Sequence, residues 1–254
     1  AALRAWYEGL SAREAVARAG WRLVYVPVVL AKGLCPDQLG PFLNQQYRWC
    51  SGSMSLLRSR DFWRTPMRWR ARACYLSGFG YYVTTALAVL TAPAAPLFML
   101  WARPGDLRVL HFAVFAPAAL LGLVAYPLWH RSRYGLAAMT VPLVYSWAHL
   151  LAIVDLLRGR TLGWQPTGSG STNGRLRRFL VGFGVWSGST AVLWVAGAGR
   201  GLLASGRPLD FVPLAVFGGL YASHVARVLW LGVGELRAAD VPAAAAVRAR
   251  SVAA

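Results

Sequence analysis

Long apolar blocks nearly free of charge constrain this chain most. We predict membrane-spanning helices at about 75–101, 109–129, 179–199 and 209–230, because roughly 20 apolar helical residues cross a bilayer. The chain is 57% hydrophobic and 14% charged, with a mean hydropathy of +0.43, whereas soluble proteins carry about 25% charged residues. The sequence therefore predicts a mainly α integral membrane protein with about four transmembrane helices.

The apolar block 136–157 is also long enough to cross, but the charge of its flanking loops argues against it. The net charge is +18. If the block crosses, Arg131 and Arg133 lie on one side and the arginine-rich segment 158–178 lies on the other. If it lies in the interface or re-enters, the basic segments share one side, as cytoplasmic loops usually do. We therefore predict an interfacial or re-entrant helix here and cytoplasmic basic loops.

The first thirty residues are patterned like a soluble α/β domain. Residues 11–19 predict a helix, because Ser11 and Glu14 form a capping box. A β-rich run follows and predicts a short strand near 22–26. These residues are too few to bury a core of their own, so we expect them to be part of something longer.

The segment 58–72 mixes six arginines with aromatic residues, among them Trp63 and Trp69. This mixture is typical of an amphipathic helix in the lipid head-group layer. A nucleic-acid groove with stacked bases is the rival interpretation. The apolar block that follows at once favours the membrane, so we expect the lipid bilayer as a partner and no nucleic acid.

The stretch "LNQQYRWCSGS", residues 43–53, places three distinctive side chains on one helical stripe. Gln45, Arg48 and Trp49 stand at positions i, i+3 and i+4. By itself the triplet is compatible with an amphipathic surface helix that carries an interfacial Trp.

Taken in order, several segments resemble the C-terminal half of family-2 processive glycosyltransferases, the group of bacterial cellulose synthase and of hyaluronan and chitin synthases. These segments are "GWRLVYVP", "LAKGLCPDQL", "QQYRWCSGS", "CYLSGFGYY" and "WQPTGS". The resemblance covers about residues 8–233. It implies the membrane-embedded part of an inverting enzyme that polymerises a β-linked, cellulose-like polysaccharide from a nucleotide sugar such as a UDP-hexose. The polymer would be exported through the plasma (inner) membrane.

The resemblance also implies substrate-binding residues. Trp49 would stack on the terminal sugar of the growing glycan, and Gln45 and Arg48 would hold the diphosphate of the nucleotide. Trp164 and Thr167 would belong to a gating loop that closes over the nucleotide.

The catalytic residues of that family are not found here. Gly9 stands where the family has its catalytic Asp, and the chain contains no D-x-D. The resemblance therefore implies that a divalent metal, Mg or Mn, would be bound by upstream residues, and that this chain binds no metal and is inactive alone.

Two other functions remain open on the sequence. One is a membrane transporter or scramblase-like module, which leaves the Q-x-x-R-W triplet unexplained. The other is a degenerate fragment with a structural role, which the glycine at position 9 supports. The predicted organisation comprises a remnant of a GT-A catalytic domain (1–34), the Q-x-x-R-W helix and interface helix (35–73), two transmembrane helices (74–134), the interfacial helix and gating-like loop (135–175), two further transmembrane helices (176–236) and a flexible tail (237–254).

Two further side chains carry specific expectations. We expect Asp155 to form a local ion pair with Arg158 or Arg160, which follow it closely. We interpret Trp147 as a lipid-facing or interfacial Trp, with the lining of a glycan channel as the alternative.

Overall fold

The computed structural model describes residues 36–131, 136–160 and 173–252, and these ranges contain helices and no strand. The predicted helix at 11–19 and the predicted strand at 22–26 lie outside the described residues. The α-helices, numbered in chain order, are α1 (Leu39–Arg58), α2 (Arg60–Arg64), α3 (Trp69–Thr91), α4 (Ala94–Trp101), α5 (Ala116–Leu120), α6 (Tyr126–Trp129), α7 (Thr140–Leu157), α8 (Asn173–Phe183), α9 (Ser189–Ala204) and α10 (Val212–Val252).

Four helical stretches are long and apolar enough to cross a membrane: Trp69–Trp101, Thr140–Leu157, Gly174–Ala204 and Pro208–Ala238. The number agrees with the prediction of a mainly α membrane protein. Three of the four coincide with predicted spans. Pro93 separates α3 from α4 within the first stretch, because a proline cannot donate a backbone hydrogen bond.

The stretch Thr140–Leu157 does not coincide with a predicted span. We predicted a span at 109–129, but the chain there is a series of short helices: a 3-10 helix (Val109–Phe115), α5, a π-helical turn (Leu121–Ala125) and α6. Pro117 and Pro127 stand at the starts of α5 and α6, where a missing N–H is tolerated and where a longer α-helix would be interrupted. Helix α7, rather than the segment 109–129, is a continuous helix of span length, whereas loop charge predicts an interfacial helix there.

Helix α7 runs antiparallel to the helical stretch that begins with α8. The Asp155 carboxylate meets Arg178 at 2.8 Å, and eight residues earlier the Trp147 indole N–H donates to Ser187 Oγ at 3.0 Å. The two stretches therefore pack side by side over at least two turns. The charge of the flanking loops does not predict this packing, because it depends on side-chain contacts such as those of Asp155 and Trp147.

One other segment differs from expectation. The basic segment 58–72 is not one amphipathic helix: α1 ends at Arg58, α2 is short, and α3 begins at Trp69. Pro66 lies in the break and disfavours helical backbone at the residue before it. Helix α10 continues into the tail 237–254 as far as Val252, and the flexibility of that tail stays a prediction.

The apolar side chains form two cores. The first core lies where α1, α2, α3, α7, α8 and α10 meet, and its most enclosed members include Leu43, Phe62, Phe179 and Phe183. The second core is smaller and is formed by Leu100, Leu107, Ala198, Phe211 and Leu214.

Candidate functional site

Helix α1 carries the three residues of the predicted binding stripe on its open side. Trp49 is 53% exposed, and Gln45 and Arg48 are half-buried. The opposite face buries the side chains of Leu43, Tyr47, Cys50 and Met54, together with Gly40. The 3.6-residue period thus separates an anchoring face from a face that ligands can reach, and the structure brings all three predicted residues together.

A buried hydrogen bond joins the anchoring face of α1 to α7. The Tyr47 hydroxyl donates to Asp155 Oδ2 at 2.9 Å, and Asp155 is 1% exposed. The other carboxylate oxygen accepts from Arg178 at 2.8 Å. The expected local ion pair of Asp155 with Arg158 or Arg160 is therefore wrong, because the carboxylate points into the bundle toward α8.

Burial raises the pKa of Tyr47 to about 12, and the neighbouring Asp155 contributes in the same direction. The Tyr47 phenol therefore remains protonated at neutral pH. A protonated phenol is the form that can donate to a carboxylate.

Arginines of α8 approach the same part of α1. The Arg175 guanidinium lies 4.5 Å from the centre of the Tyr47 ring, a cation–π distance. It also donates to Asn44 Oδ1. Arg175 lies within electrostatic range of Arg48 and Arg178. Arg175 and Arg178 thus lie near the buried Asp155 carboxylate, with Arg48 near Arg175, and this end of the bundle is suited to an anionic ligand.

His149 connects three helices through its backbone and its ring. Its carbonyl accepts from the Cys50 thiol at 3.7 Å, and its ring Nδ1 lies 2.7 Å from Thr85 Oγ1. Burial raises the pKa of Cys50 to about 12. The thiol is therefore unreactive at neutral pH, since the thiolate is the nucleophile, and we assign Cys50 a packing role.

The start of α1 is capped by a residue from the far end of the chain. The Gly40 N–H donates to both carboxylate oxygens of Glu235, at 3.1 and 3.2 Å. Gln38, at the N-cap position, makes no side-chain capping bond, and the first turn has no acidic residue of its own. The carboxylate of α10 therefore supplies the negative charge that a helix N-terminus favours.

Trp147 fits neither of its two sequence interpretations. It is only 5% exposed, and its ring packs against Phe179 and Phe183 with centroid distances of 6.4 and 5.8 Å. It faces neither lipid nor an open channel, because its indole completes the first core.

The other predicted site positions, Gly9, Trp164 and Thr167, lie outside the described residues and stay predictions. Sequence reasoning missed the supporting roles of Tyr47, Asp155, Arg178 and Glu235. The one available signal was Tyr47, which lies at the buried position between Gln45 and Trp49. Among the described residues no group of three His, Cys, Asp or Glu side chains could hold a metal ion.

The chain is similar over part of its length to bacterial cellulose synthases. A segment of 85 residues, 32% of the chain, is 32% identical to Cellulose synthase 2 of Novacetimonas hansenii and covers 5% of that protein. The same length is 32% identical to Putative cellulose synthase 2 of Komagataeibacter xylinus and covers 6% of it. Cellulose synthase 1 of Komagataeibacter xylinus is 31% identical over 84 residues. No protein-family model and no solved structure matches the chain.

The matched segments are thus a small fraction of these relatives. Together with four span-length apolar helices, the similarity fits the membrane part of a cellulose-synthase-like protein.

Proposed function

We propose that this chain is the membrane-embedded part of an inverting, processive glycosyltransferase that polymerises a β-linked glycan from a nucleotide sugar and exports it. The observation that carries the proposal is α1: its Q-x-x-R-W face is open, its opposite face is anchored in the bundle, and arginines of α8 adjoin it. A helix held in this way can present the same side chains to a substrate at every turnover.

Each residue of the face has a chemical task in this proposal. The flat indole of Trp49 packs on the C–H face of the terminal sugar of the acceptor. Arg48 and Gln45 donate hydrogen bonds to the diphosphate of the nucleotide. A guanidinium is a fixed fork of donors that matches phosphate oxygens. Because charge grows on the leaving diphosphate, these donors stabilise the transition state more than the ground state.

Trp164 and Thr167 would contact the nucleotide from the segment before α8. The nucleotide would be a UDP-hexose, and the open face of α1 and the basic segments 58–72 and 158–178 would lie on the cytoplasmic side of the plasma membrane. Both statements rest on the resemblance to the family and on the loop charges.

The divalent metal of this chemistry does not fit the described part of the chain, which has no group of three suitable ligands. Mg or Mn and the catalytic base would be supplied by residues outside this described part, and we derive no step through them.

Replacement of Trp49 in the full natural protein that contains this sequence tests the proposal. We expect Trp49→Ala to abolish polymer synthesis while nucleoside diphosphate binding survives, since only the acceptor loses its stacking surface. Arg48→Lys should lower kcat/KM by about tenfold or more, because Lys offers a point charge in place of a fork. The measurements are radiolabelled polymer formation and calorimetric binding of UDP.

Trp69→Ala is the matched control, because Trp69 is 74% exposed and lies outside α1. We expect it to retain polymer synthesis. Wild-type synthesis in Trp49→Ala would remove the acceptor-binding role, and unchanged kinetics in Arg48→Lys would reduce Arg48 to an interfacial residue.

A further inference from the structure

Asp155 is the most buried carboxylate among the described residues, and the proposed chemistry does not use it. It lies near the end of α7, between α1 and α8. Each of its two oxygens has a different partner: the Tyr47 hydroxyl at 2.9 Å and Arg178 at 2.8 Å. A carboxylate buried to this degree and joined to two other helices constrains both of them.

The bond from Tyr47 determines how α1 is rotated. Successive residues of an α-helix advance by about 100° around the axis. Tyr47 precedes Arg48 directly and lies two residues from Gln45 and Trp49. With the Tyr47 hydroxyl held on Asp155, the directions of Arg48 and Gln45 are set as well.

Helix α8 holds α1 from a second side. Arg175 stacks on the Tyr47 ring and donates to Asn44, one helical turn before Arg48. Arg178 reaches the same region through Asp155. Helices α1 and α8 are therefore joined both through the Tyr47 ring and through the carboxylate beneath it.

The charges around Asp155 also support a role for this carboxylate in orienting the side chains of α1. Arg175 lies close enough to both Arg48 and Arg178 to interact with each electrostatically. Asp155 neutralises one of them at hydrogen-bond distance. Without the carboxylate, the repulsion of Arg175 by its two neighbouring arginines would be uncompensated, and Arg178 would be free to compete with Arg48 for an anionic ligand.

We propose that Asp155 is a positioning residue for the substrate-binding face of α1. Its bonds to Tyr47 and Arg178 hold Arg48 and Gln45 in the orientation that receives the diphosphate of the nucleotide sugar. This inference rests on the proposed function, because it assigns the diphosphate to that face.

The test uses Tyr47→Phe and Asp155→Ala in the full natural protein, with KM and kcat for the nucleotide sugar and Kd for UDP as readouts. Tyr47→Phe removes one oxygen and no charge, and it should raise KM about three- to tenfold, the range expected for one lost hydrogen bond. Asp155→Ala should lower kcat/KM by at least about tenfold, mainly through KM. The double variant should be no worse than Asp155→Ala alone, because both changes remove the same bond.

Two matched controls separate positioning from general stability. Asp210 is another buried carboxylate, 9% exposed, and it accepts from the Val109 N–H at 2.8 Å in the second core. Tyr221 is a part-buried tyrosine whose hydroxyl lies 3.2 Å from Thr190 Oγ1. Asp210→Ala and Tyr221→Phe should change the KM for the nucleotide sugar by less than about twofold, even where the melting temperature falls.

Arg48→Gln distinguishes failure of this inference from failure of the proposed function. If Asp155 acts through Arg48, Asp155→Ala should cost little more in the Arg48→Gln background. Wild-type kinetics in Arg48→Gln would refute the proposed function itself. A large loss in Arg48→Gln with normal KM in Tyr47→Phe and Asp155→Ala would refute only the positioning role.

Equal losses of kcat/KM in Asp155→Ala and Asp210→Ala, together with no effect of Tyr47→Phe, would also overturn the inference. Asp155 would then matter only for stability. Should Asp155→Ala fail to fold, Tyr47→Phe decides the question by itself.

Discussion

The two cores of this protein are held together in different ways. In the first core, side chains of different helices bond directly to one another: Tyr47 to Asp155, and Trp147 to Ser187. In the second core, the polar side chains that cross between elements end on backbone atoms. Asp210 accepts from the Val109 N–H, and Arg200 donates to the Leu100 carbonyl.

Close approach at glycines contributes to both cores: a Cβ at Gly232 would lie 2.5 Å from Leu180 Cδ2 of the first core, and the second core has such contacts as well. A Cβ at Gly201 would lie 2.0 Å from Phe211 Cδ1, and a Cβ at Gly197 would lie 2.9 Å from Trp101 Nε1. Small residues permit such contacts between helices, as they commonly do in membrane proteins.

The two cores differ in what their polar bonds fix. Those of the first core orient two side chains at once, and those of the second core orient only one. A bond between two side chains depends on the identity of both residues and fixes the rotation of both helices. A bond to a backbone atom depends on one side chain only. The candidate site is built on the core of the first kind, which suits a site whose donors must point in defined directions.

The largest effect on stability should follow a change in the second core. Gly201→Ala places a methyl group against the buried ring of Phe211, and overpacking of this kind costs about 1–3 kcal/mol. The melting temperature in detergent measures it. Gly199→Ala on the same helix is the matched control, because no atom beyond its chain neighbours and the adjacent helix backbone lies within 4 Å of that Cβ. The control should be neutral or stabilising by up to about 1 kcal/mol.

At a temperature where Gly201→Ala is folded, its KM for the nucleotide sugar should be normal. A raised KM would contradict the proposed difference between the cores, since the second core would then also orient the site.

Alkaline pH should act on the first core. Burial raises the pKa of Cys50 from 9.0 to about 12 and that of Tyr47 from 10.0 to about 12. The folded state therefore keeps protons that the unfolded state releases, and the stability that they contribute is complete below pH 9 and is lost as the pH rises toward 12. For each such proton, the free energy of unfolding falls by about 1.4 kcal/mol per pH unit within this range.

Cys50→Ala should reduce the slope of stability against pH between pH 9 and 11 by the contribution of up to one proton. Melting temperatures across that range measure this slope. Gly201→Ala should leave the slope as it is in the wild type. An unchanged slope in Cys50→Ala would show that the thiol is more accessible to water than its burial indicates.

The smallest effect should come from the cap of α1. Glu235→Gln keeps an acceptor for the Gly40 N–H but removes the charge, so we expect a loss of about 0.3–1 kcal/mol. Glu235→Ala removes both and should cost about 1 kcal/mol. Hydrogen exchange should rise mainly in the first turn of α1. Uniformly faster exchange over the whole first core would mean that Glu235 joins α10 to the bundle more generally.

Sequence by itself determined much of the architecture. Apolar length located three of the four span-length helices, and helical periodicity placed Gln45, Arg48 and Trp49 on one face of α1 with Tyr47 opposite. These features are local: they depend on residues three or four positions apart, and a helix brings such residues together wherever it lies.

Only the tertiary structure decided that 109–129 is a series of short helices while α7 is continuous, and that Asp155 pairs with Arg178. It also decided which groups anchor α1. Tyr47 lies 108 positions from Asp155, and Gly40 lies 195 positions from Glu235. No spacing rule relates such residues, because their meeting depends on how whole helices pack, and the free energy of that packing is shared among many side chains along the chain.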